Sequence, residues 1–149
     1  MKEQKNPNFK LWELINLSSR AINKVRQQEL DRYGTTLSQS AILRVALDLG
    51  EEATPTEISR RLFLELNSIS EQLRRMETEG LIEKVKDLKR KNLIRILVTK
   101  EGHELYRQTT NQKAIEYVMS ILTEEEKTAL RTILSKLQDR AVKRLSIKK

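Results

Sequence analysis

Apolar residues recur at helical spacing along most of the chain, and one short region interrupts this pattern. From Asn8 to Tyr33 they form the broad face of a long amphipathic helix, and Gly34 follows as a stop signal. Thr36 then begins a capped segment that predicts a second, largely buried helix ending at Gly50. The first third of the chain is therefore predicted to be helical.

Two shorter helical segments follow, separated by only three residues. Thr54-Pro55-Thr56-Glu57 supplies an N-cap hydroxyl, a first-turn proline and a glutamate, so a third helix is predicted through Leu62. After Phe63-Leu64-Glu65, a fourth helix is predicted from about Leu66 to Glu79. Its inward positions are Ile69, Leu73 and Met76. Two short helices joined in this way are typical of a helix-turn-helix.

The helical pattern changes between residues 81 and 98. Leu81–Asp87 and Leu93–Val98 are rich in β-branched residues and predict two strands around a short loop. Positive charge is concentrated in and beside this loop, on Lys84, Lys86, Lys89, Arg90, Lys91 and Arg95. The pattern predicts a basic β-hairpin after the helix-turn-helix.

The rest of the chain returns to helical spacing. A fifth helix is predicted from Thr99 to roughly Leu122, and Thr123-Glu124-Glu125-Glu126 predicts the capped start of a sixth. One face of the sixth helix is apolar and consists of Leu130, Ile133, Leu134, Leu137, Ala141 and Leu145. The first and last helices have more apolar surface than the central region can cover, which predicts a partner chain, most simply a second copy.

Composition narrows the classes of function. The chain has 149 residues, a net charge of +8 and no cysteine. The charge favours a polyanionic partner, above all nucleic acid, and the lack of cysteine excludes disulfides, thiolate metal sites and a thiol redox sensor. No signal peptide or long apolar segment is evident, so we expect a soluble, cytoplasmic protein without a membrane partner.

Residues suited to catalysis are sparse. His103 is the single histidine, and no set of zinc ligands at suitable spacing accompanies it in the sequence, so we interpret it as a surface residue. The chain also lacks a Gly-rich phosphate loop and the spacing of a catalytic triad. We predict neither an enzyme nor a metal or cofactor site.

The fourth helix is the predicted reading element, because the second helix of a helix-turn-helix enters the major groove. With its apolar positions directed inward, its outward face consists of Asn67, Ser68, Ser70, Glu71, Arg74 and Arg75. We predict that this face contacts DNA. The alternative is a solvated face on which Glu71 pairs with Arg75.

Two further sets of residues are candidates for DNA contact. Residues at helix starts can cap their own helix and also hold phosphate, and this set is Thr36, Ser38, Gln39, Thr54 and Thr56. The predicted hairpin loop can reach phosphate or the minor groove through Lys89, Arg90, Lys91 and Asn92. Solvation of the loop is the alternative.

The order and lengths of these elements resemble the MarR family of transcriptional regulators over nearly the whole chain. The motifs that carry the resemblance are Thr36-x-x-Gln39, Thr56-Glu57-Ile58-Ser59 with Leu62, Gly80-Leu81-Ile82-Glu83 and Leu97-Val98-Thr99-Lys100-Glu101-Gly102. The resemblance implies a mainly α fold: a winged helix-turn-helix with a two-stranded β-wing, and N- and C-terminal helices that form a dimerisation region. Residues 1–35 and 103–149 would form the dimerisation region, and residues 36–102 the DNA-binding lobe.

The resemblance also implies a function. We expect a homodimer that binds double-stranded DNA at a pseudo-palindromic operator, acts as a repressor and responds to a small-molecule effector. Trp12, Ile15 and Tyr106 are candidate effector-pocket walls, although packing in the core or at the dimer interface is the preferred interpretation. The wing departs from the family, because Arg90-Lys91-Asn92 stands where Asp-Arg-Arg is usual and the acid that commonly braces the wing arginine is not at that position.

Two other functions remain open at this stage. A winged helix can dock an acidic protein partner, and a basic DNA-binding domain can bind without sequence preference.

Overall fold

The computed structural model describes residues 6–87, 89–90 and 92–146 and divides the chain into two compact units, one ending at Gln112 and one beginning at Lys113. The first unit contains α1 (Pro7–Leu30), α2 (Leu37–Leu49), α3 (Pro55–Leu62), α4 (Leu66–Thr78), β1 (Ile82–Lys86), β2 (Ile94–Val98) and α5 (Lys100–Thr109). The second contains α6 (Lys113–Met119) and α7 (Glu124–Ser146). Among the described residues, no helix is long and apolar enough to cross a membrane. The mainly α fold with a two-stranded wing confirms the predicted fold class.

The second helix forms the centre of the core in the first unit. Ile42 and Leu43 on α2 are fully buried against side chains from α3, α4 and the sheet. Those partners include Ile58, Ile69, Leu73, Met76, Ile82 and Ile96. Burial of this many aliphatic side chains supplies most of the favourable free energy of folding in a domain of this size.

The ends of α2 follow the local signals in the sequence. Thr36 Oγ1 accepts a hydrogen bond from the Gln39 amide nitrogen at 3.1 Å, and Gly50 ends the helix at φ 55°. The side chain of Gln39 does not complete a local capping box: its Nε2 donates to Glu79 Oε2 at 2.9 Å and its Oε1 accepts from the Thr35 hydroxyl at 2.9 Å. Gln39 thus connects the start of α2 to the end of α4.

Helices α3 and α4 form the predicted helix-turn-helix. Thr54 caps α3 by accepting from the Glu57 amide at 3.2 Å. The turn then passes through Phe63, which has a left-handed backbone at φ 54°, and the Leu64 amide donates to the Ser59 carbonyl at 3.1 Å. The inward residues of α4 are fully buried, as predicted.

The wing is an antiparallel pair, β1 and β2, in which Ile82 is paired with Val98 and Lys86 with Ile94. Thr99, directly after β2, fixes its base: the hydroxyl donates to the Gly80 carbonyl at 2.6 Å and the amide donates to the Leu81 carbonyl at 3.1 Å. The same hydroxyl accepts from the Gly102 amide and so caps α5. One threonine therefore joins α4, the wing and α5.

The fifth helix is shorter than the sequence predicts. A single helix from Thr99 to Leu122 was expected, but α5 ends at Thr109 and α6 begins at Lys113. The end of α5 is bound by Arg26 of α1, which donates to the Thr109 carbonyl at 2.7 Å and to the Asn111 carbonyl at 3.4 Å. The prediction was wrong because a side chain distant in sequence satisfies the carbonyl groups that would otherwise end the helix without partners.

The second unit follows its local signals closely. The Thr123 amide donates to Glu126 Oε2 at 2.9 Å and the Glu126 amide donates to Thr123 Oγ1 at 3.1 Å, which is the reciprocal capping box that the sequence predicts. The assignment of residues 1–35 and 103–149 to dimerisation stays a prediction.

Gly102 gives a direct test of the junction between the wing and α5. A methyl group there would overlap the Leu81 carbonyl oxygen and lie 2.8 Å from Val98 Cγ1. Although alanine normally stabilises a helix relative to glycine, Gly102→Ala is expected to lower the free energy of unfolding by about 1–3 kcal/mol, as overpacking does. Urea unfolding at fixed protein concentration measures this. Glu101→Ala, at the exposed neighbouring position, is the control, and equal stability of the two variants would contradict the prediction.

Candidate nucleic-acid interface

The outward face of α4 is polar and accessible. All six residues predicted to contact DNA from this helix are exposed: Asn67, Ser68, Ser70, Glu71, Arg74 and Arg75. Their orientation follows from packing, because Ile69, Leu73 and Met76 hold the opposite side of the helix in the core. The exposed face begins in the first turn of the helix, where base contacts in a helix-turn-helix are made.

One ion pair occupies part of this face. Arg75 Nη2 lies 2.6 Å from Glu71 Oε1, one helical turn away, and both side chains are more than half exposed. This is the pairing that the sequence offered as the alternative to DNA contact. An exposed pair of this kind contributes little to stability, so either partner can exchange it for a contact with DNA at small cost.

The residues at helix starts are not equally accessible. Thr36 and Thr56 are exposed and Ser38 is half-buried, whereas Gln39 and Thr54 are buried. The Gln39 amide is occupied by Thr35 and Glu79, and the Thr54 hydroxyl caps α3. Of this set, the structure leaves Thr36 and Thr56 the most accessible to phosphate, and DNA contact by each member stays a prediction.

The tip of the wing is organised by Asp87. Its carboxylate accepts from the Lys89 amide at 2.8 Å and from the Arg90 amide at 3.2 Å. These backbone bonds, with the Lys89 amide first, hold the pKa of Asp87 below its usual value. Lys89, Arg90 and Asn92 are exposed, with Asn92 at φ 70°, while the predicted contact at Lys91 lies outside the described residues.

A second acid reaches the wing from outside it. Glu52 lies in a short 3-10 turn after α2, and its Oε1 is 3.1 Å from Nη2 of Arg90. Sequence reasoning missed both acids. An aspartate two residues before a turn amide is a local signal that could have identified Asp87, but Glu52 is 38 residues from its partner and no local pattern indicates the pair.

Two of the cavities in the first unit are lined in part by residues of interest for ligand binding. One of about 340 Å³ lies beside β2 and is lined by Ala46, Leu47, Val85, Val98, Arg95 and His103, among others. Arg95 Nε is buried and has no hydrogen-bond partner among the described residues. A buried donor without an acceptor is costly, so this nitrogen is an unfavourable feature of the second strand.

The other cavity, of about 180 Å³, is lined by Tyr106 together with residues that include Arg26, Ser40 and Arg44. Trp12 and Ile15, the other candidate pocket walls, do not line it. They are 56% and 42% exposed on α1, and Trp12 packs against Phe9 with ring centroids 5.3 Å apart. The prediction that Trp12 packs in the core of this chain is therefore wrong. Its packing at a dimer interface stays a prediction.

His103 is exposed, as expected, and the described residues include no group of three or more acidic or histidine side chains that could hold a metal ion.

Comparisons with known proteins give a consistent result. No family model matches the chain. An uncharacterised HTH-type transcriptional regulator of Bacillus subtilis (strain 168), YsmB, is 29% identical over 121 residues, which cover 79% of this chain and 82% of that protein.

Solved structures extend this similarity. The organohalide-sensing transcriptional regulator RdhR-CbdbA1625, in its 2,4-dichlorophenol-bound form, is 31% identical, with 93% of this chain and 83% of that chain covered and a TM-score of 0.83. A mutant of MarR from E. coli, complexed with operator DNA, shares the fold with a TM-score of 0.84 at 20% identity, over 91% of this chain and 99% of that one.

The helix-turn-helix, the two-stranded wing and the similarity to RdhR-CbdbA1625 over most of both chains lead to one assignment. The chain belongs to the MarR family of winged helix-turn-helix transcriptional regulators.

Proposed function

We propose that this protein is a sequence-specific transcriptional repressor that binds a pseudo-palindromic DNA operator as a homodimer. The observation that carries the proposal is that one compact unit presents the exposed polar face of α4 together with a basic wing. A cytoplasmic place of action is part of the proposal, because the operator DNA lies there. The two half-sites would lie about one helical turn, roughly 34–36 Å, apart.

The recognition chemistry follows from the residue types on α4. Asn67 can pair with adenine, Arg74 and Arg75 with guanine or phosphate, and Glu71 can accept from cytosine. The wing adds exposed positive charge at Lys89 and Arg90, suited to phosphate or the minor groove. The complex of a MarR mutant with operator DNA supports this arrangement, because the two chains share the fold.

Gel-shift assays at rising salt separate this proposal from its two alternatives. The probes are the DNA upstream of the protein's own gene and a scrambled sequence of the same composition. A clear preference for the upstream DNA supports the repressor, and equal affinity for both supports a binder without sequence preference. Lack of binding to either DNA contradicts the proposal and favours docking of an acidic protein partner.

Arg75 offers a test of the reading face. Arg75→Ala is expected to weaken operator binding about 5–150-fold, the range for one lost contact with a base of 1–3 kcal/mol. Fluorescence anisotropy with labelled operator measures the change. Arg44→Ala is the matched control, since Arg44 is an exposed helical arginine with Asp48 one turn away, on α2 rather than on the proposed face. An equal effect of the two substitutions would show that only total charge matters.

Dimerisation is supported by the apolar residues that the chain leaves exposed. On α1 they include Leu11, Trp12, Leu14 and Leu17, which are 55–62% exposed. On α7 they include Ile133, Leu134, Leu137 and Leu145, which are 42–61% exposed. Apolar residues in these numbers on two helices mark interaction surfaces, and a second copy provides the same surfaces in a closed, two-fold arrangement.

A charge introduced into the apolar face of α7 tests the dimer. Leu137→Glu is expected to convert a dimer into a monomer at micromolar concentration, because burying an unpaired carboxylate in an apolar interface is strongly unfavourable. Sedimentation velocity measures the change, with Gln138→Glu at the adjacent exposed position as the control. A wild-type protein that is monomeric at this concentration would contradict the proposed dimer directly.

The proposal also includes a small-molecule effector that weakens operator binding. A structure of RdhR-CbdbA1625 with bound 2,4-dichlorophenol supports it, as does the 340 Å³ cavity beside β2. That volume lies in the range of small-molecule sites, and the lining combines apolar side chains with the polar residues Arg95 and His103.

Blocking substitutions test this site with 2,4-dichlorophenol as the probe. The phenol is expected to weaken operator binding of the wild type at least about fivefold, the lower end of typical allosteric coupling. Leu47→Trp, which fills the cavity beside β2, should abolish both calorimetric binding and the effect on DNA. Ala41→Trp, in the cavity lined by Tyr106, should change neither. The reverse pattern would place the effector in the other cavity.

A further inference from the structure

We propose that Glu52 is a positioning residue for DNA binding: through its ion pair with Arg90 it holds the arginine of the wing tip ready to contact DNA. The inference rests on the proposed function, because the position of the wing tip affects operator binding only if the wing contacts DNA. Glu52 itself touches no DNA in this proposal.

The backbone around Glu52 is fixed to the core. The 3-10 turn begins at Gly50 and is closed by a bond from the Ala53 amide to the Gly50 carbonyl at 3.1 Å. Ala53 is fully buried, and its carbonyl accepts from the Ile96 amide at 2.7 Å. The turn is thus bonded to the second strand of the wing, so the Glu52 carboxylate projects from a rigid base beside the sheet.

Unlike the turn that holds Glu52, Arg90 is not bonded into the sheet, because it lies beyond the ends of both strands. Its backbone amide is held by Asp87 at 3.2 Å, and its guanidinium is held by Glu52 at 3.1 Å. Without the second contact, only the backbone of the turn would be fixed, and the long side chain would be free to sample many rotamers. Ordering such a side chain at the moment of binding costs conformational entropy, and this cost weakens binding.

The negative charge of Glu52 distinguishes a positioning role from simple repulsion of DNA. Lys86, Lys89, Arg90 and Arg95 line one cleft of about 540 Å³ together with Glu51, Glu52 and Asp87. An acid near a DNA-binding surface repels phosphate, so its simple removal should strengthen DNA binding. A positioning role predicts the opposite sign, since loss of the pair disorders Arg90.

The decisive comparison uses Glu52→Gln and Glu51→Gln. Both substitutions remove one negative charge from the same turn, but only Glu52 is bonded to Arg90. Glu52→Gln is expected to weaken operator binding about two- to fivefold, the size of one exposed ion pair, while Glu51→Gln leaves it unchanged or slightly stronger. Thermal unfolding should give the same Tm for both variants and the wild type. Operator affinity of Glu52→Gln equal to or above that of Glu51→Gln overturns the proposal.

A double-mutant cycle identifies the partner. In an Arg90→Gln background Glu52→Gln should no longer weaken binding, and should leave it unchanged or slightly stronger, because the pair is already broken and only the loss of an acid remains. An effect of unchanged size in that background would show that Glu52 acts through something other than Arg90, and the proposal would fall.

A measurement without DNA separates this proposal from the proposed function. Trypsin cleavage after Arg90 in the free protein, followed by mass spectrometry, should be faster in Glu52→Gln than in Glu51→Gln, because the wing tip is less ordered. Equal cleavage rates overturn the positioning role whether or not the protein binds DNA. If the wild type binds no DNA while cleavage differs as expected, the proposed function fails and the Glu52–Arg90 brace stands.

Discussion

The wing has a fixed direction because its second strand is bonded to the helix-turn-helix at two points. The Ile96 amide donates to the Ala53 carbonyl, just before α3, and Thr99 donates to the Gly80 and Leu81 carbonyls, just after α4. A two-stranded ribbon has little stability of its own in water, so these bonds and the burial of Ile82 and Ile96 determine where it points. The geometry of the candidate interface depends on this connection.

The same connection places acids among bases at the wing. Asp87 accepts backbone amides at the tip, and Glu52 pairs with Arg90 from the turn that the Ala53–Ile96 bond holds in place. Each acid reduces the positive charge available to DNA, yet each also reduces the repulsion among Lys86, Lys89 and Arg90 and limits their conformations. The acids thus order the basic side chains of the wing while they lower its net positive charge. This favours specificity wherever specificity depends on the geometry of the contacts.

Local sequence signals predicted most of the fold. Thr54-Pro55 and the Thr123 capping box begin helices where expected, and Gly50 ends α2 with a positive φ angle. The predicted first helix to Tyr33 ends instead at Leu30, and its last three residues form a 3-10 turn that Gly34 closes at φ 66°. These signals succeed because a cap is satisfied within a few residues of the chain. The end of α5 and the bracing of Arg90 could not be predicted, because each depends on a side chain tens of residues away, Arg26 in one case and Glu52 in the other. Gln39 shows the same limit, since its local pattern indicates a cap whereas its side chain joins α4.

Helix α5 has a bonded partner at each end. At its start, Thr99 and Gly102 are held against Gly80 and Leu81 at the base of the wing. At its end, Arg26 of α1 holds the Thr109 carbonyl with a guanidinium that also pairs with Glu29. A displacement of α1 must therefore move α5, and with it the base of the wing, or break the hydrogen bonds of a buried arginine. The second course removes the backbone acceptors of a buried guanidinium and leaves it only the Glu29 carboxylate of its own helix, which is unfavourable. Because α1 is one of the two helices with exposed apolar faces, a second copy that binds there and displaces α1 would change the direction of the wing.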